Sequence, residues 1–286
     1  MSIRNKTFQE LDLCNSFLFA AALEQPEICR LVLEIILGYK VPHVKVHPEH
    51  SVLVSSDFRS VRFDVYARDE LLVAYDVEAQ NENEGNLPKR SRYYQAELDV
   101  SSLRPGEDFN ELKPGYVIFI CTFDPFGMGL YRYTFEERCL ECDLSLGDGT
   151  RKILLNTKGK NDAEVPAELV HFLKYMEEST DAYVAEVTEE SIIQLHERVT
   201  ELKKRRELEA RFMTGEELMR QRERKGRLAG LAEGKAEFIL EFLEDCGTVP
   251  EDLKAQIYEQ RDAGVLSRWH KLSAKVDSIE QFMEQM

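Results

Sequence analysis

The spacing of apolar residues between positions 11 and 37 predicts helix. Phe17, Leu18 and Ala21 recur at helical intervals, and the aliphatic residues from position 31 to position 36 continue the pattern. Pro26 predicts a break inside this segment, because proline has no backbone N–H, and Gly38 predicts its end. The first part of the chain is therefore expected to be helical.

After position 40 the apolar spacing changes to two residues. Apolar and polar side chains alternate in three segments, as in strands that bury one face. Residues 68–70 supply a polar turn between the last two segments. We predict a meander of three strands with these apolar positions: Val44, Val46, Val52 and Val54; Val61, Phe63 and Val65; Leu71, Val73, Tyr75 and Val77.

Two further elements complete the predicted core. Helical spacing returns over residues 88–103, and residues 116–121 form a fully apolar run of the kind found in buried central strands. Shorter strand-like pieces lie near residues 130–133 and 152–156. The order helix, three-strand meander, helix, strand predicts an α/β core with a mixed sheet and a helix on each face.

The chain changes character near residue 160. Beyond this point it is charged and helical, with few aromatic strand formers. Ile192, Leu195 and Val199 belong to a single apolar stripe, and such a stripe needs a partner, which is compatible with a homo-oligomer formed through these helices. We predict a core domain at residues 1–160 and a mainly α-helical C-terminal region at residues 161–286.

Composition limits the classes of function. No stretch reaches the roughly 18 apolar residues that a membrane span needs, and the first residues lack the apolar core of a secretion signal. We therefore expect a cytoplasmic protein without a membrane partner. The net charge of −16 argues against general binding of polyanions, unless basic residues cluster near one site.

Polar residues on two neighbouring strands are the candidate chemistry. Asp76, Glu78 and Gln80 point to one side of the third predicted strand, and Asp64 lies on the strand before it. Two carboxylates on adjacent strands can share one Mg²⁺ or Mn²⁺, and such an ion supplies Lewis acidity for phosphodiester hydrolysis. The alternative, which spacing alone favours, is the solvated face of an ordinary hairpin.

Several ordered phrases carry a family resemblance. Residues 62–67 are Arg-Phe-Asp-Val-Tyr-Ala, and residues 75–78 are Tyr-Asp-Val-Glu. Arg-Ser-Arg-Tyr-Tyr-Gln follows at residues 90–95, and Phe-Asp-Pro-Phe-Gly at residues 123–127. Together these phrases resemble the PD-(D/E)xK nuclease superfamily and, more narrowly, the recombination-promoting nuclease family of transposases.

The resemblance implies a restriction-endonuclease-like core and a metal-dependent DNA endonuclease that acts in DNA recombination or transposition. It implies that Asp64 and Glu78 bind Mg²⁺ or Mn²⁺, with the Ala79 carbonyl as a third oxygen ligand. Gln80 stands where the superfamily has a lysine. Glutamine can hydrogen-bond and orient the attacking water, but it brings no positive charge.

The predicted helix after the hairpin supplies candidate contacts to DNA. Lys89, Arg90 or Arg92 could provide the charge that Gln80 lacks, and Tyr94 adds aromatic surface to this group. A phosphate-facing role is one interpretation. The other is that the tyrosines pack on the sheet while the arginines pair with acidic residues of their own helix.

A second hypothesis comes from departures from the family pattern. Family members often carry an acidic pair on the first helix, where this chain has Asn15 and Ser16. With Gln80 and the acidic net charge, this difference favours a catalytically weak or inactive interaction module. Basic residues between positions 203 and 227 alternate with glutamates, which favours a solvated helix face over a nucleic-acid arm. A ribonuclease-H-like transposase fits less well, because its carboxylates are expected on differently ordered strands.

Overall fold

Two helices open the chain in the computed structural model, which describes the backbone of residues 6–48, 51–52, 61–62 and 65–286. They are α1 (Ser16–Leu23) and α2 (Pro26–Leu37), so the predicted helical segment is divided where Pro26 indicated. Gly38 ends α2 with φ 76°, a left-handed conformation that glycine adopts without strain. Both predicted punctuation points are confirmed.

Eight strands follow α2 in the described part of the chain, and six of them form one mixed sheet. The strands are β1 (Val44–Pro48), β2 (Ser51–Val52), β3 (Val61–Arg62), β4 (Val65–Asp69), β5 (Ala74–Gln80), β6 (Gly115–Cys121), β7 (Arg132–Phe135) and β8 (Thr150–Asn156). β2 pairs with β3, and the others form a sheet in the order β1-β4-β5-β6-β8-β7. β5, β6 and β8 are parallel neighbours, while β1, β4 and β5 are antiparallel, as are β7 and β8. The predicted mixed sheet is confirmed.

The turn between β4 and β5 is built by one carboxylate. Asp69 Oδ1 accepts hydrogen bonds from the backbone N–H groups of Leu71 and Val73, at 2.9 and 3.0 Å. Leu72, between them, has φ 66°. The strand therefore begins at Ala74 and not at Leu71, where the apolar alternation had predicted its start.

One face of the sheet is covered by α3 (Leu87–Ser102). Leu87 and Leu98 anchor this helix, and they share an apolar cluster with Phe119 of β6 and Leu154 of β8. Burying these side chains supplies the main driving force for docking the helix, at about 25 cal/mol for each Å² of apolar surface removed from water. The anchors fix which side of α3 faces β5.

Helices dominate the remainder of the chain. They are α4 (Ala167–Glu177), α5 (Asp181–Val184), α6 (Glu190–Lys203), α7 (Arg206–Cys246), α8 (Glu251–Glu259), α9 (Ala263–Ser273) and α10 (Ile279–Gln285). Within the described residues, no helix combines the length and apolarity that a membrane span requires. The α/β core followed by a mainly helical region agrees with the predicted fold class.

The chain forms two compact units, Met1–Ala210 and Arg211–Met286. In the first, the segment after α4 is joined to the segment before α1, because Ser179 Oγ accepts from the Leu13 N–H at 2.8 Å. The second unit has its own apolar core, which includes Trp269 and Phe282 with their rings 6.5 Å apart. Helices α4 to α6 thus belong to the same compact unit as the sheet, and the domain boundary near residue 160 stays a prediction.

Candidate functional site

The candidate acidic residues of β5 are buried, not solvated. Alternation along the strand puts Asp76 and Glu78 on the face that α3 covers, and their relative exposures are 0% and 2%. Glu78 is paired in register with Phe119 of β6. The hairpin alternative, in which these carboxylates lie on an ordinary solvated face, is therefore wrong for Asp76 and Glu78. Asp64 lies outside the described residues.

A single arginine of α3 holds the end of β5. Arg90 Nη2 donates to Glu78 Oε2 at 3.0 Å, and Arg90 Nη1 donates to Gln80 Oε1 at 2.8 Å. The side chain of Glu78 is 3% exposed and that of Arg90 is 24% exposed, so water screens this ion pair only partly. The structure thus brings Glu78, Gln80 and Arg90 together, as the site hypothesis requires.

Two aromatic rings flank the Arg90 guanidinium. Its carbon lies 5.4 Å from the ring centroid of Tyr94 and 5.2 Å from that of Phe119, within the range of cation–π attraction. Tyr94 also stacks on Phe119, with 6.0 Å between the ring centroids. Tyr94 therefore packs on the sheet, as one interpretation held, but Arg90 pairs with Glu78 and not with an acid of its own helix.

Electrostatics at this site favour the charged arginine. Burial lowers the pKa of Arg90, but Tyr94 and Glu78 outweigh it, and the net pKa is raised from its ordinary value. Burial, followed by the charge of Glu78, raises the pKa of Tyr94 to about 12. At neutral pH Arg90 is therefore a cation beside Glu78, while Tyr94 keeps its proton.

Both polar atoms of the Gln80 side-chain amide form hydrogen bonds. Its Nε2 donates to the Glu82 carbonyl at 2.8 Å, while its Oε1 accepts from Arg90. Its own backbone carbonyl accepts from the Thr122 N–H at 3.1 Å. The amide oxygen consequently points toward the guanidinium, and because it has two lone pairs it can also accept a hydrogen bond from a water.

Asn15, one of the two residues that replace the expected acidic pair, has a structural role. Asn15 Oδ1 accepts from the N–H groups of Phe17 and Leu18, at 3.1 and 3.2 Å, and so forms the N-cap of α1. The preceding residue lies against the end of β5, because Asn81 Nδ2 donates to the Cys14 carbonyl at 2.8 Å. The start of α1 and the candidate site are thus neighbours, and sequence reasoning had missed this capping role.

The other predicted DNA contacts lie farther from Glu78. Lys89 and Arg92 are exposed on α3, and Arg92 lines a separate cleft of about 380 Å³. Neither side chain makes an ion pair with any residue that the structure describes. Ala79, the predicted third metal ligand through its carbonyl, is half-buried beside Gln80. These three roles stay predictions.

The oxygen atoms at this site are of the type that binds hard divalent cations. Glu78 offers a carboxylate and Ala79 a backbone oxygen, which are the ligand types that Mg²⁺ and Mn²⁺ prefer. Arg90 shows that a positive charge is stabilised at Glu78. Within the described residues no group of three His, Cys, Asp or Glu side chains is arranged to hold a metal, and Asp64, the other predicted carboxylate ligand, lies outside those residues.

The sheet order and the buried carboxylates of β5 together indicate the fold class. A mixed sheet with flanking helices and a carboxylate on its third meander strand is a restriction-endonuclease-like α/β fold. A family model described as PD-(D/E)XK nuclease family transposase matches residues 17–141. Comparisons with curated proteins and with solved structures each found no significant match.

Proposed function

We propose that this protein is a DNA endonuclease that depends on Mg²⁺ or Mn²⁺ and acts in DNA recombination or transposition. The observation that carries the proposal is Glu78, a buried carboxylate held by Arg90 on the strand that the family motif occupies. Burying a carboxylate is costly unless a partner or a function compensates for it. A nuclease-family domain also makes DNA the expected partner.

Each residue has a distinct role in this proposal. Asp64 and Glu78 hold the divalent cation, with the Ala79 carbonyl as a third oxygen ligand. When bound, the cation supplies the Lewis acidity for phosphodiester hydrolysis. Gln80 orients the attacking water through its amide oxygen, and Arg90 keeps both side chains in place. Lys89 and Arg92 line the approach of the DNA backbone, while Tyr94, packed on Phe119, supports the Arg90 guanidinium.

The ion pair between Arg90 and Glu78 also supports a second candidate function. Arg90 already satisfies one Glu78 oxygen, and Asn15 caps α1 where family members often have an acidic residue. Both features suit a catalytically weak or inactive nuclease-fold module that acts through its partners. The second function differs from the first in one measurable property, which is cleavage.

Nicking of supercoiled plasmid at graded Mg²⁺, Mn²⁺ and Ca²⁺ separates the two functions. We expect Mg²⁺ or Mn²⁺ to support nicking by the wild type, and Glu78→Gln to slow it about 100-fold or more, the scale of losing one transition-state-stabilising group. Asp64→Ala should behave in the same way. Glu82→Gln is the matched control, because this exposed acid lies just beyond β5. Folded wild type that nicks with none of these ions would establish the interaction module instead.

A further inference from the structure

A cleft of about 380 Å³ lies beside the candidate site, on the α3 side of the sheet. Two exposed rings, Phe126 and Phe135, and two cationic side chains, Arg92 and Lys152, line it together with Leu154 of β8. Exposed phenylalanines are unfavourable in water unless something covers them, and cations beside them suggest a partner with negative charge. The proposed catalytic roles use neither ring.

The loop that carries Phe126 is ordered by one carboxylate. Asp124 accepts hydrogen bonds from the N–H groups of Phe126, Gly127 and Gly129, and from the Tyr133 hydroxyl. Burial would raise the pKa of Asp124, but the bonds from Gly129 and Tyr133 outweigh it, and the pKa is lowered. The carboxylate therefore stays charged, and the loop is preorganised at neutral pH.

The aromatic rings of this loop support one another. The Phe126 centroid lies 4.9 Å from that of Tyr133, in an edge-to-face arrangement, and 5.3 Å from that of Phe135. Such contacts are worth about 0.5–1.5 kcal/mol each beyond buried area. Phe126 and Phe135 consequently form a fixed surface, and a flat ligand that binds there need not order them.

The sheet register gives the distance from this cleft to Glu78. Glu78 pairs with Phe119, and Phe119 pairs with Leu154 at the cleft. Neighbouring strands are about 4.8 Å apart, so Leu154 and Glu78 are separated by two strand spacings, or about 10 Å. Phe135 lies one strand farther, on β7, where it pairs with Lys152, two residues before Leu154. It is therefore about 16 Å from Glu78, a distance that a stacked DNA strand, rising about 3.4 Å per nucleotide, covers in about five nucleotides.

The charged side chains that line the cleft favour an anionic ligand when their ion pairs are taken into account. Glu136 and Glu137 also line the cleft, but Arg138 Nη2 lies 2.7 Å from Glu136, and Lys152 Nζ lies 4.0 Å from Glu137. Arg92 makes no ion pair within the part of the chain that the structure describes. The acidic side chains are thus largely compensated, whereas Arg92 keeps its charge for a ligand.

We propose that Phe126 and Phe135 stack on an unpaired nucleobase of the DNA strand whose phosphodiester lies at Glu78, while Arg92 contacts its phosphates. The choice of DNA rests on the proposed function, but the binding surface does not depend on catalysis. Stacking of bases on aromatic side chains is sequence-tolerant and is worth about 1–3 kcal/mol per base. The protein would therefore prefer single-stranded or locally unpaired DNA.

Fluorescence of 2-aminopurine in a single-stranded oligonucleotide tests this proposal directly. In EDTA, which prevents cleavage, we expect the full-length protein to change the emission of a 2-aminopurine that stacks in the cleft. Phe126→Leu and Phe135→Leu should each weaken binding roughly 5- to 150-fold, the range that corresponds to about 1–3 kcal/mol. Phe126→Trp should retain binding. Phe109→Leu is the matched control, since Phe109 is a phenylalanine that is 85% exposed elsewhere in the same unit.

The outcomes separate this proposal from the nuclease proposal. The stacking proposal is overturned if the wild type does not bind single-stranded DNA. It is also overturned if Phe126→Leu and Phe135→Leu leave the emission change as large as in the wild type. Both results count even if the protein nicks plasmid. If the wild type never nicks DNA but stacks a base in a way that depends on both rings, the stacking proposal is supported and the nuclease proposal is rejected. Circular dichroism of each variant confirms that a loss of binding reflects the missing ring.

Discussion

Arg90 organises the candidate site through contacts to Glu78, Gln80 and Tyr94. Removing one partner of a buried ion pair leaves an uncompensated charge and costs about 3–5 kcal/mol, less where solvent reaches the pair. Because Arg90 is 24% exposed, we expect Arg90→Ala to lower the free energy of unfolding by about 2–3 kcal/mol. Urea denaturation measures this change.

The control for this prediction lies two residues away. Arg92→Ala removes an exposed arginine from the same helix and should change stability by less than about 0.5 kcal/mol. If Glu78 binds a divalent cation, Ca²⁺ should raise the thermal midpoint of Arg90→Ala more than that of the wild type, since the cation replaces the lost charge. Equal urea midpoints for the two variants would mean that the ion pair contributes little.

The start of α1 provides a test of the missing acidic pair. Asn15→Ala removes the N-cap, and we expect it to cost about 1 kcal/mol in urea unfolding. Asn15→Asp caps equally well and restores one acid near the end of β5, so stability should hold while Mg²⁺-dependent nicking rises. Ser16→Ala is the control, because this exposed residue forms no part of the cap. Unchanged nicking in Asn15→Asp would mean that this acid is not used.

Pattern reasoning predicted the elements better than their boundaries. Helical spacing located α2 and α3, because burial of one face imposes that period, and a continuous apolar run located β6, which is buried on both faces. The start of β5 was missed, since the Asp69 side chain binds the N–H groups of Leu71 and Val73 and so takes them from the strand. Periodicity does not report such local competition for hydrogen bonds.

Contacts between side chains of different elements were harder to predict from the sequence than the elements themselves. Glu78, Gln80 and Arg90 were each singled out from motif positions, but the bonds that join them depend on how α3 docks on the sheet. The same is true of the bond from Leu13 to Ser179, which ties α4 to the core. Charge and composition describe the surface of α4 to α6 and do not reveal such long-range contacts.

At the scale of the whole molecule, a net charge of −16 must be reconciled with the proposed DNA binding. In the first unit, Lys89 and Arg92 are the cations that the proposals assign to DNA. Single strands release about 0.7 counterion per neutralised phosphate, so two contacts predict a slope near −1.4 for log affinity against log salt. A basic arm between residues 211 and 227 would add contacts and make the slope steeper.

Truncation after Ala210 decides between these two arrangements. Every described residue of the candidate site and of the aromatic cleft lies in Met1–Ala210, so we expect the shortened protein to keep single-strand binding, its salt slope and any nicking. Oligonucleotide anisotropy from about 50 to 200 mM salt, with circular dichroism to confirm folding, measures this. Arg92→Gln in both lengths should reduce the slope by the same amount, about 0.7. A slope that becomes shallower on truncation alone would instead assign DNA contacts to the helices of Arg211–Met286, because counterion release counts the phosphates that those helices neutralise.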